Sequence, residues 1–472
     1  MPLIQFRKIH VSPPLILTIA VLSAFSLRLL LLGHKSLWLD EAFGLSVTKA
    51  GQNVLWSGTL ENHHPPLFHF LQMLWIQLGE NEFMLRLLSA LFGTASIPLI
   101  FLLGKKMAGK GVALFATWLS AFSPLLIWYS QEARSYSLLI FIGLAVMIAV
   151  VNLSLKPNLG WTCLFILMMT AAIYTHYGAF LLVPLQLCLL VFLKARRQCR
   201  KKAVLLWLLS WIFIFAAYLP WLRSPAARNF LNIIKTGSYP VQFVADRLGL
   251  DPRGLMNVLV ILLALVIFVG IFLSFRILQK QDRLWTMLRT RSWFHRLVMF
   301  LFFLFLIISV IPRAYSFKKQ LVLLWPYVLL FFCWVWPWEY KNKKLLAGAL
   351  SLSLISSLIN ICFIPKDEWR QTLDYIHAQS QKNDLVLLLP NYATFPFDYY
   401  NQGKIERAGV QPSSFIPELE SLLKSHGRLW LVSNRANIAD PDRKIEGWLG
   451  TKAKLVITKR FYLVQTSLYQ TY

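Results

Sequence analysis

Long apolar runs separated by short polar loops are the dominant pattern along the chain. A helix needs roughly 17 to 25 apolar residues to cross a bilayer. On that scale the pattern predicts eleven membrane-spanning helices, at residues 13–33, 84–104, 112–130, 136–155, 160–176, 178–193, 203–221, 256–275, 297–312, 320–337 and 345–364. Because the number of crossings is odd, we expect the two ends of the chain on opposite sides of the membrane.

The loop between the first two spans predicts two short helices that lie on the membrane surface. The earlier helix carries Asp40 and Glu41, and the later one follows His64-Pro65-Pro66. Proline is tolerated in the first turn of a helix, so the Pro-Pro pair fixes where the later helix starts. Residues 66–79 are apolar but too few to cross a bilayer, which favours a helix in the interface. We expect this loop to cover a cavity.

Hydropathy falls after residue 364, and the pattern changes to short strands and amphipathic helices. It predicts helices at 367–379 and 417–426, and strands at 385–389, 428–432 and 455–457. The predicted fold class is therefore an α-helical polytopic membrane protein with a small C-terminal extracytoplasmic α/β domain. The expected domains are a transmembrane domain at 1–364 and the α/β domain at 365–472.

Composition and charge place the protein in a membrane. Hydrophobic residues make up 57% of the 472 residues, and the mean hydropathy is +0.55. The formal net charge of +27 comes from short basic clusters that fall on one side of the predicted spans, as the positive-inside rule expects of cytoplasmic loops. We therefore expect a multi-pass plasma (inner) membrane protein with a cytoplasmic N-terminus and no nucleic-acid partner.

Acidic residues follow the opposite trend. Of the ten Asp and Glu residues before residue 365, eight fall on the predicted outer side. A bundle that serves only as a scaffold needs no such gathering of titratable groups, whereas a catalytic site that faces away from the cytoplasm does. The outer face is the predicted working face.

Five runs of residues, taken in this order, resemble the signatures of bacterial family 39 glycosyltransferases. The runs are Trp38–Ala42, His64–Phe68, Leu85–Gly93, Tyr129–Tyr136 and Tyr174–Tyr177. Members of this family are GT-C fold enzymes, related to protein O-mannosyltransferases and to the aminoarabinose transferase that modifies lipid A. The resemblance is strong over about residues 14–190 and weak in the C-terminal domain, although Lys366–Arg370 resembles the run that follows the last span in such proteins.

The resemblance implies transfer of a sugar from a polyprenyl-phosphate donor to an acceptor on the outer face, with inversion at the anomeric carbon. The acceptor is a hydroxyl of an envelope glycan, lipid or protein. Such a reaction needs a base for the acceptor proton and cations for the departing phosphate, but no general acid. Asp40 occupies the position of the family's catalytic acidic residue, and Glu41 is expected to orient or pair. The alternative is that Asp40 caps a helix or pairs with Arg28.

Four further residues in the family runs each have an expected functional role and a structural alternative. Glu132 is expected to support the site and Arg134 to bind phosphate, or the two form a structural ion pair. His64 is expected to contact the lipid phosphate or the acceptor, or it is only a turn residue before the Pro-Pro pair. His176 is expected to line the site, or it sits in the interface among aromatic anchors.

Five basic residues complete the predicted substrate-binding set. Arg28 lies inside the first span, where an ionisable group is a functional candidate unless it finds a partner. Arg86 belongs to the family run Leu85–Gly93. Arg313, Lys318 and Lys319 break the positive-inside trend at the outer mouth of the ninth and tenth spans, which favours phosphate binding.

A metal ion and two other functions stay open at this point. A divalent metal is an alternative because Asp40, Glu132, His64 and His176 could converge, although their spacing is not a local ligand signature. A transporter or flippase of lipid-linked sugars would show internal repeats and ionisable residues at the membrane midplane. An O-antigen ligase or polymerase would use a diphosphate-linked glycan donor.

Overall fold

The structure is a computed structural model, and it describes residues 12–57, 64–229, 322–335, 343–410, 416–436 and 440–472. The chain forms two compact units. The first comprises Met1–Leu30, Gly51–Trp75 and Leu87–Cys362, and the second comprises Leu31–Ala50, Ile76–Arg86 and Phe363–Tyr472. The C-terminal residues therefore share a unit with two pieces of the predicted first outer loop. The sequence pattern did not indicate that grouping.

The first unit is helical. Its described helices include α1 (Pro13–Leu29), α3 (Gln52–Ser57), α4 (Leu67–Trp75), most of α5 (Glu82–Ala108), α6 (Lys110–Ala121), α7 (Pro124–Ser130), α8 (Tyr136–Leu155), α9 (Leu159–Thr175), α10 (Leu182–Ala195), α11 (Lys201–Leu222), α12 (Trp325–Val335) and α13 (Lys343–Phe363). A short 3-10 turn at Tyr177–Leu181 precedes α10, and another at Ile76–Leu78, which belongs to the second unit, precedes α5.

Within the described residues, five helical segments are long and apolar enough to cross a membrane, or six if α6 and α7 count as one bent span. The five are Glu82–Ala108, Tyr136–Leu155, Tyr177–Lys194, Lys201–Leu222 and Leu346–Phe363. They coincide with five of the predicted spans. The predicted spans 256–275 and 297–312 lie outside the described residues, so the total of eleven stays a prediction.

The predicted span 112–130 is not one straight helix. The axes of α6 and α7 are bent by 54°. Ser123 between them is extended, because the proline that follows disfavours the helical conformation at this position and supplies no N–H. The hydroxyls of Ser353 and Ser357 on α13 donate to the Phe122 carbonyl at 2.9 and 2.5 Å. The bend is therefore held by side chains that replace the missing helical hydrogen bonds.

The second unit is built on a five-stranded mixed sheet. The strands are β1 (Leu385–Leu389), β2 (Glu406–Gly409), β3 (Arg428–Asn434), β4 (Ala453–Phe461) and β5 (Val464–Thr471), in the order β2-β1-β3-β5-β4. Strand β1 is parallel to β2 and β3, whereas β5 is antiparallel to β3 and β4. All five residues of β1 are buried, as expected of a central strand covered on both faces.

Helices cover the two faces of the sheet. The described helices of this part are α14 (Trp369–Gln379), α15 (Thr394–Asn401), α16 (Ile416–Ser425) and α17 (Lys444–Lys452). One core gathers around Trp369, Val386, Phe397 and Trp430, and the other around Leu387, Leu431 and Leu449. The sequence predicted α14, α16, β1, β3 and the middle of β4, but it missed α15, α17, β2 and β5.

The loop between the first two predicted spans contains the two predicted helices and one more. Helix α2 (Leu39–Lys49) carries Asp40 and Glu41, and α4 starts three residues after His64. Helix α3 lies between them in sequence and was not predicted. In α4 the side chains of Phe68, His69 and Gln72 are buried.

Candidate active site

Glu41 is the centre of a buried ion pair in the second unit. It lies in the first turn of α2, where the helix N-terminus stabilises negative charge. Its carboxylate accepts from Arg86 Nε at 2.8 Å and from Arg86 Nη2 at 2.7 Å. The exposed fractions of the two side chains are 0% and 1%. This bidentate pairing fixes both the position and the plane of the carboxylate.

Arg86 uses its remaining N–H groups on the chain that leads into α2. Nη1 donates to the carbonyls of Leu32 and Lys35 at 3.0 and 2.7 Å, and Nη2 donates to the Ser36 carbonyl at 2.8 Å. A guanidinium has five N–H donors, and these bonds together with those to Glu41 occupy all of them. Arg86 therefore holds residues 32–36 and Glu41 in one arrangement.

Lys366 adds a second cation to Glu41. Its Nζ lies 3.3 Å from Glu41 Oε2, and only 6% of its side chain is exposed. The three charged side chains, one carboxylate and two cations, carry a formal net charge of +1. Lys366 comes directly after the last predicted span and was known from the sequence only as part of a family-like run.

Asp40 has a different environment from its neighbour. It is half-buried, whereas Glu41 is fully buried. Adjacent residues on a helix point about 100° apart, so the two carboxylates face different surroundings. The N-cap of α2 is Trp38, and Asp40 lies inside the first turn. The alternative that Asp40 caps the helix is therefore wrong, because the backbone becomes helical before it.

The sheet part of the second unit is tied to the start of α2. Arg370 forms an ion pair with Glu82 and donates to the carbonyls of Gly33 and His34, each at 3.2 Å. The Tyr400 hydroxyl donates to Glu82 Oε1 at 2.8 Å and accepts from the Leu37 N–H at 2.7 Å. Burial and the negative Glu82 raise the pKa of Tyr400, so its hydroxyl keeps its proton. The C-terminal residues thus brace the loop that carries Asp40.

In the first unit, Arg28 and Gln131 link the end of α1 to the turn after α7. Arg28 is fully buried, and its Nε donates to Ser130 Oγ at 3.2 Å while Nη1 donates to the carbonyls of Ala24 and Ala121 at 3.0 and 3.4 Å. Gln131 Nε2 donates to the Leu30 carbonyl at 2.8 Å. These bonds fix the backbone that leads directly to Glu132.

Glu132 and Arg134 are both buried in the turn between α7 and α8. Ser89 Oγ donates to the Arg134 carbonyl at 3.0 Å, which fixes the turn to α5. Burial, and to a smaller extent the positive charge of Arg134, lower the pKa of His69 on α4 to about 3. The His69 imidazole is therefore neutral at physiological pH. Its coupling to Arg134 was not predicted.

His64 and His176 come together in the first unit. Their rings are stacked with centroids 6.0 Å apart, and the Tyr136 ring lies 5.9 Å from His176. His176 Nδ1 accepts the Gly178 N–H at 2.8 Å, so in the neutral ring the proton is on Nε2. Both histidines are half-buried. The sequence predicted the two residues separately, and the structure makes them one pair.

The remaining predicted site features have no structural description. Arg313, Lys318 and Lys319 lie outside the described residues. Within the parts of the chain that are described, no group of three or more His, Cys, Asp or Glu side chains is arranged to hold a metal ion.

Residues 63–221 match the family model described as dolichyl-phosphate-mannose-protein mannosyltransferase. No curated protein sequence matches the chain. The archaeal oligosaccharyltransferase AglB from Archaeoglobus fulgidus, solved with an inhibitory peptide and a dolichol-phosphate, is 11% identical with a TM-score of 0.52, and the match covers 90% of this chain and 70% of AglB. ArnT from Cupriavidus metallidurans in the apo state is 14% identical with a TM-score of 0.48, covering 96% of this chain and 97% of ArnT.

ArnT bound to undecaprenyl phosphate is 15% identical with a TM-score of 0.46, over 96% of this chain and 97% of that chain. The likeness to AglB confirms the predicted GT-C fold class, and the matched stretch 63–221 is similar to the mannosyltransferase family model.

Proposed function

We propose that this protein moves a sugar from a polyprenyl-phosphate donor to a hydroxyl acceptor on the extracytoplasmic face, inverts the anomeric carbon, and uses Asp40 as the base. One observation carries the proposal: two adjacent carboxylates in the first turn of α2 have opposite environments. Glu41 is buried and held by Arg86 and Lys366, whereas Asp40 is half-buried. Different environments give neighbouring carboxylates different roles.

The reaction balances with one base. The acceptor oxygen attacks C1 of the sugar while its proton passes to the Asp40 carboxylate, and the bond between C1 and the phosphate oxygen breaks. The electron pair leaves with the polyprenyl phosphate, which needs cations but no proton. The carboxylate of Asp40 lies in the first turn of α2, and a carboxylate is a group that can accept the acceptor's proton.

The other predicted residues divide into substrate contacts and supports. We assign phosphate binding to Arg134, Arg313, Lys318 and Lys319, and contact with donor or acceptor to His64 and His176. Glu132 supports Arg134. The donors of Arg86 are all used within the protein, and Arg28 bonds to Ser130 and to backbone carbonyls. We therefore assign both arginines to the positioning of the site rather than to the substrate.

The charge pattern supports the location. Basic clusters on one side of the spans favour a cytoplasmic N-terminus in the plasma (inner) membrane, with residues 31–50 and the C-terminal domain outside. A polyprenyl-phosphate sugar presented on that face suits an acceptor in the cell envelope.

The test is turnover of radiolabelled polyprenyl-phosphate mannose, glucose, galactose and arabinose by purified protein in nanodiscs, measured as transfer and as hydrolysis. Asp40→Asn should lower turnover of the preferred donor about 10³-fold, the scale of general base catalysis, with donor binding retained. The matched control is Asp398→Asn, because Asp398 is an exposed carboxylate paired with Arg407 in the same unit. Wild-type turnover in Asp40→Asn would refute the proposed base.

Two further measurements distinguish the proposed transferase from a flippase and from a ligase. A flippase would move a fluorescent donor between leaflets of proteoliposomes without releasing sugar, and a ligase would prefer polyprenyl-diphosphate glycans. Inversion is checked by NMR of the product, which should have the opposite anomeric configuration from the donor.

A further inference from the structure

Lys366 is separated from Glu41 by 325 residues, yet its Nζ is 3.3 Å from Glu41 Oε2. The contact is internal to the second unit, which contains both Leu31–Ala50 and Phe363–Tyr472. Lys366 is the first residue of the run Lys366–Arg370, in which several side chains have defined contacts. Asp367 accepts from Asn434 Nδ2 at 3.0 Å, Trp369 is buried in the sheet core, and Arg370 pairs with Glu82.

The second cation is not needed for charge compensation alone. Arg86 already neutralises Glu41 with two short hydrogen bonds. A buried lysine carries a desolvation cost, and lysine is rarely buried unless it is paired. Lys366 brings a third segment of the chain to a carboxylate that Arg86 already holds, which favours a role in position over a role in charge compensation. Lys366 contacts Oε2, the oxygen that also accepts from Arg86 Nη2, so a segment distant in sequence restrains the same atom.

We propose that Lys366 is a positioning residue of the transferase, which acts through Glu41 to fix the first turn of α2 and, with it, Asp40. Three segments meet at the Glu41 carboxylate: α2 itself, the start of α5 through Arg86, and the chain after the last span through Lys366. Asp40 is adjacent to Glu41 in that turn. If the Glu41 side chain were no longer held, the turn could move and the Asp40 carboxylate would move with it. The inference rests on the proposed function.

A competing explanation is that Lys366 only stabilises the C-terminal domain. Arg428 supplies the matched control, because it is also a cation that pairs with a buried carboxylate of this unit. Its Nε is 3.4 Å from Asp384 Oδ1, and Asp384 is almost fully buried. Arg428 lies on β3, and it has no part in the proposed chemistry. A Met substitution at either position removes one cation from one buried carboxylate.

The experiment compares Lys366→Met, Lys366→Arg and Arg428→Met with wild type in nanodiscs, with kcat and donor KM measured per folded protein on the preferred polyprenyl-phosphate sugar. Lys366→Met should lower kcat about 10-fold or more, with donor KM changed less than about twofold, because misplacing a catalytic group affects the transition state more than binding. Lys366→Arg should restore most of the loss. Arg428→Met should lower the melting temperature and leave kcat unchanged.

Equal kcat in Lys366→Met and wild type would overturn the inference, and so would a Lys366→Arg variant as slow as Lys366→Met. If both Lys366→Met and Arg428→Met lowered kcat, and the variant with the lower melting temperature also had the lower kcat, the role of Lys366 would be structural. The Asp40→Asn variant keeps the two proposals separate. Wild-type turnover in Asp40→Asn refutes the proposed function, whereas an inactive Asp40→Asn beside an unimpaired Lys366→Met refutes only the positioning role.

Discussion

Arg86 and Glu41, 45 residues apart in sequence, form a bidentate ion pair that is almost completely withdrawn from solvent. The pair connects the start of α5 to the start of α2, and three further bonds from Arg86 hold the carbonyls of residues 32–36. Removing Glu41 would leave the Arg86 charge buried without its carboxylate partner, and breaking a buried pair in this way costs more than an exposed ion pair is worth.

Arg86→Lys should destabilise the protein although the charge is kept. An ammonium group cannot bond the carboxylate with two parallel N–H groups, and it leaves backbone carbonyls near Leu32 and Ser36 without their donors. We expect a loss of about 3 kcal/mol or more, seen as a lower melting temperature, together with a large loss of turnover. Arg407→Lys, in the exposed pair with Asp398, should change stability by less than about 1 kcal/mol. An unchanged melting temperature in Arg86→Lys would contradict the role of Arg86 in holding Glu41 and residues 32–36.

Continuous apolar runs predicted the helices of the first unit well. The predicted span 136–155 has the same limits as α8, because a helix that is apolar on all sides has no competing pattern. The bend between α6 and α7 was missed although its signal was present. Ser123-Pro124 interrupts the run, but hydropathy alone does not register a proline.

The second unit was less predictable, since its segments depend on partners distant in sequence. Strand β5 has few strongly apolar residues, and its register is set by pairing with β3 and β4. The same reason applies to the site. Asp40 and Glu41 were found because acidic residues are scarce and because of the family resemblance, but no spacing rule connects Glu41 to Lys366. Tertiary contacts decide which cation reaches a carboxylate.

Gly93→Ala should disturb the junction of α1 and α7. A Cβ at Gly93 would lie 2.1 Å from Ser130 Oγ and 3.1 Å from Arg28 Nε, so the Arg28–Ser130 bond would have to move. Overpacking of this kind costs about 1 to 3 kcal/mol. We expect a lower melting temperature and reduced turnover, because the displaced turn leads to Glu132.

Gly111→Ala is the control for the glycine substitution. Gly111 lies in α6, and a Cβ there would meet no atom within 4 Å. Alanine is favoured over glycine by about 0.5 to 1 kcal/mol in a helix interior, and Gly111 is the second residue of α6, so this variant should melt at the same or a slightly higher temperature. If both variants behaved alike, the close approach at Gly93 would not matter for stability.

His69 should make the protein sensitive to mild acid. Its pKa is lowered to about 3 by burial and by Arg134, whereas an unfolded histidine titrates near 6.5. Below pH 6.5 the unfolded chain gains a proton that the folded protein does not, so stability falls with pH by up to about 1.4 kcal/mol per unit and is unaffected above that range.

Between pH 7 and pH 5, the melting temperature of His69→Gln should therefore decline less than that of wild type, measured in the same detergent. His34→Gln, which also removes one histidine but at an exposed position, is the matched control. Equal slopes in wild type and His69→Gln would contradict the lowered pKa of His69 in the folded protein.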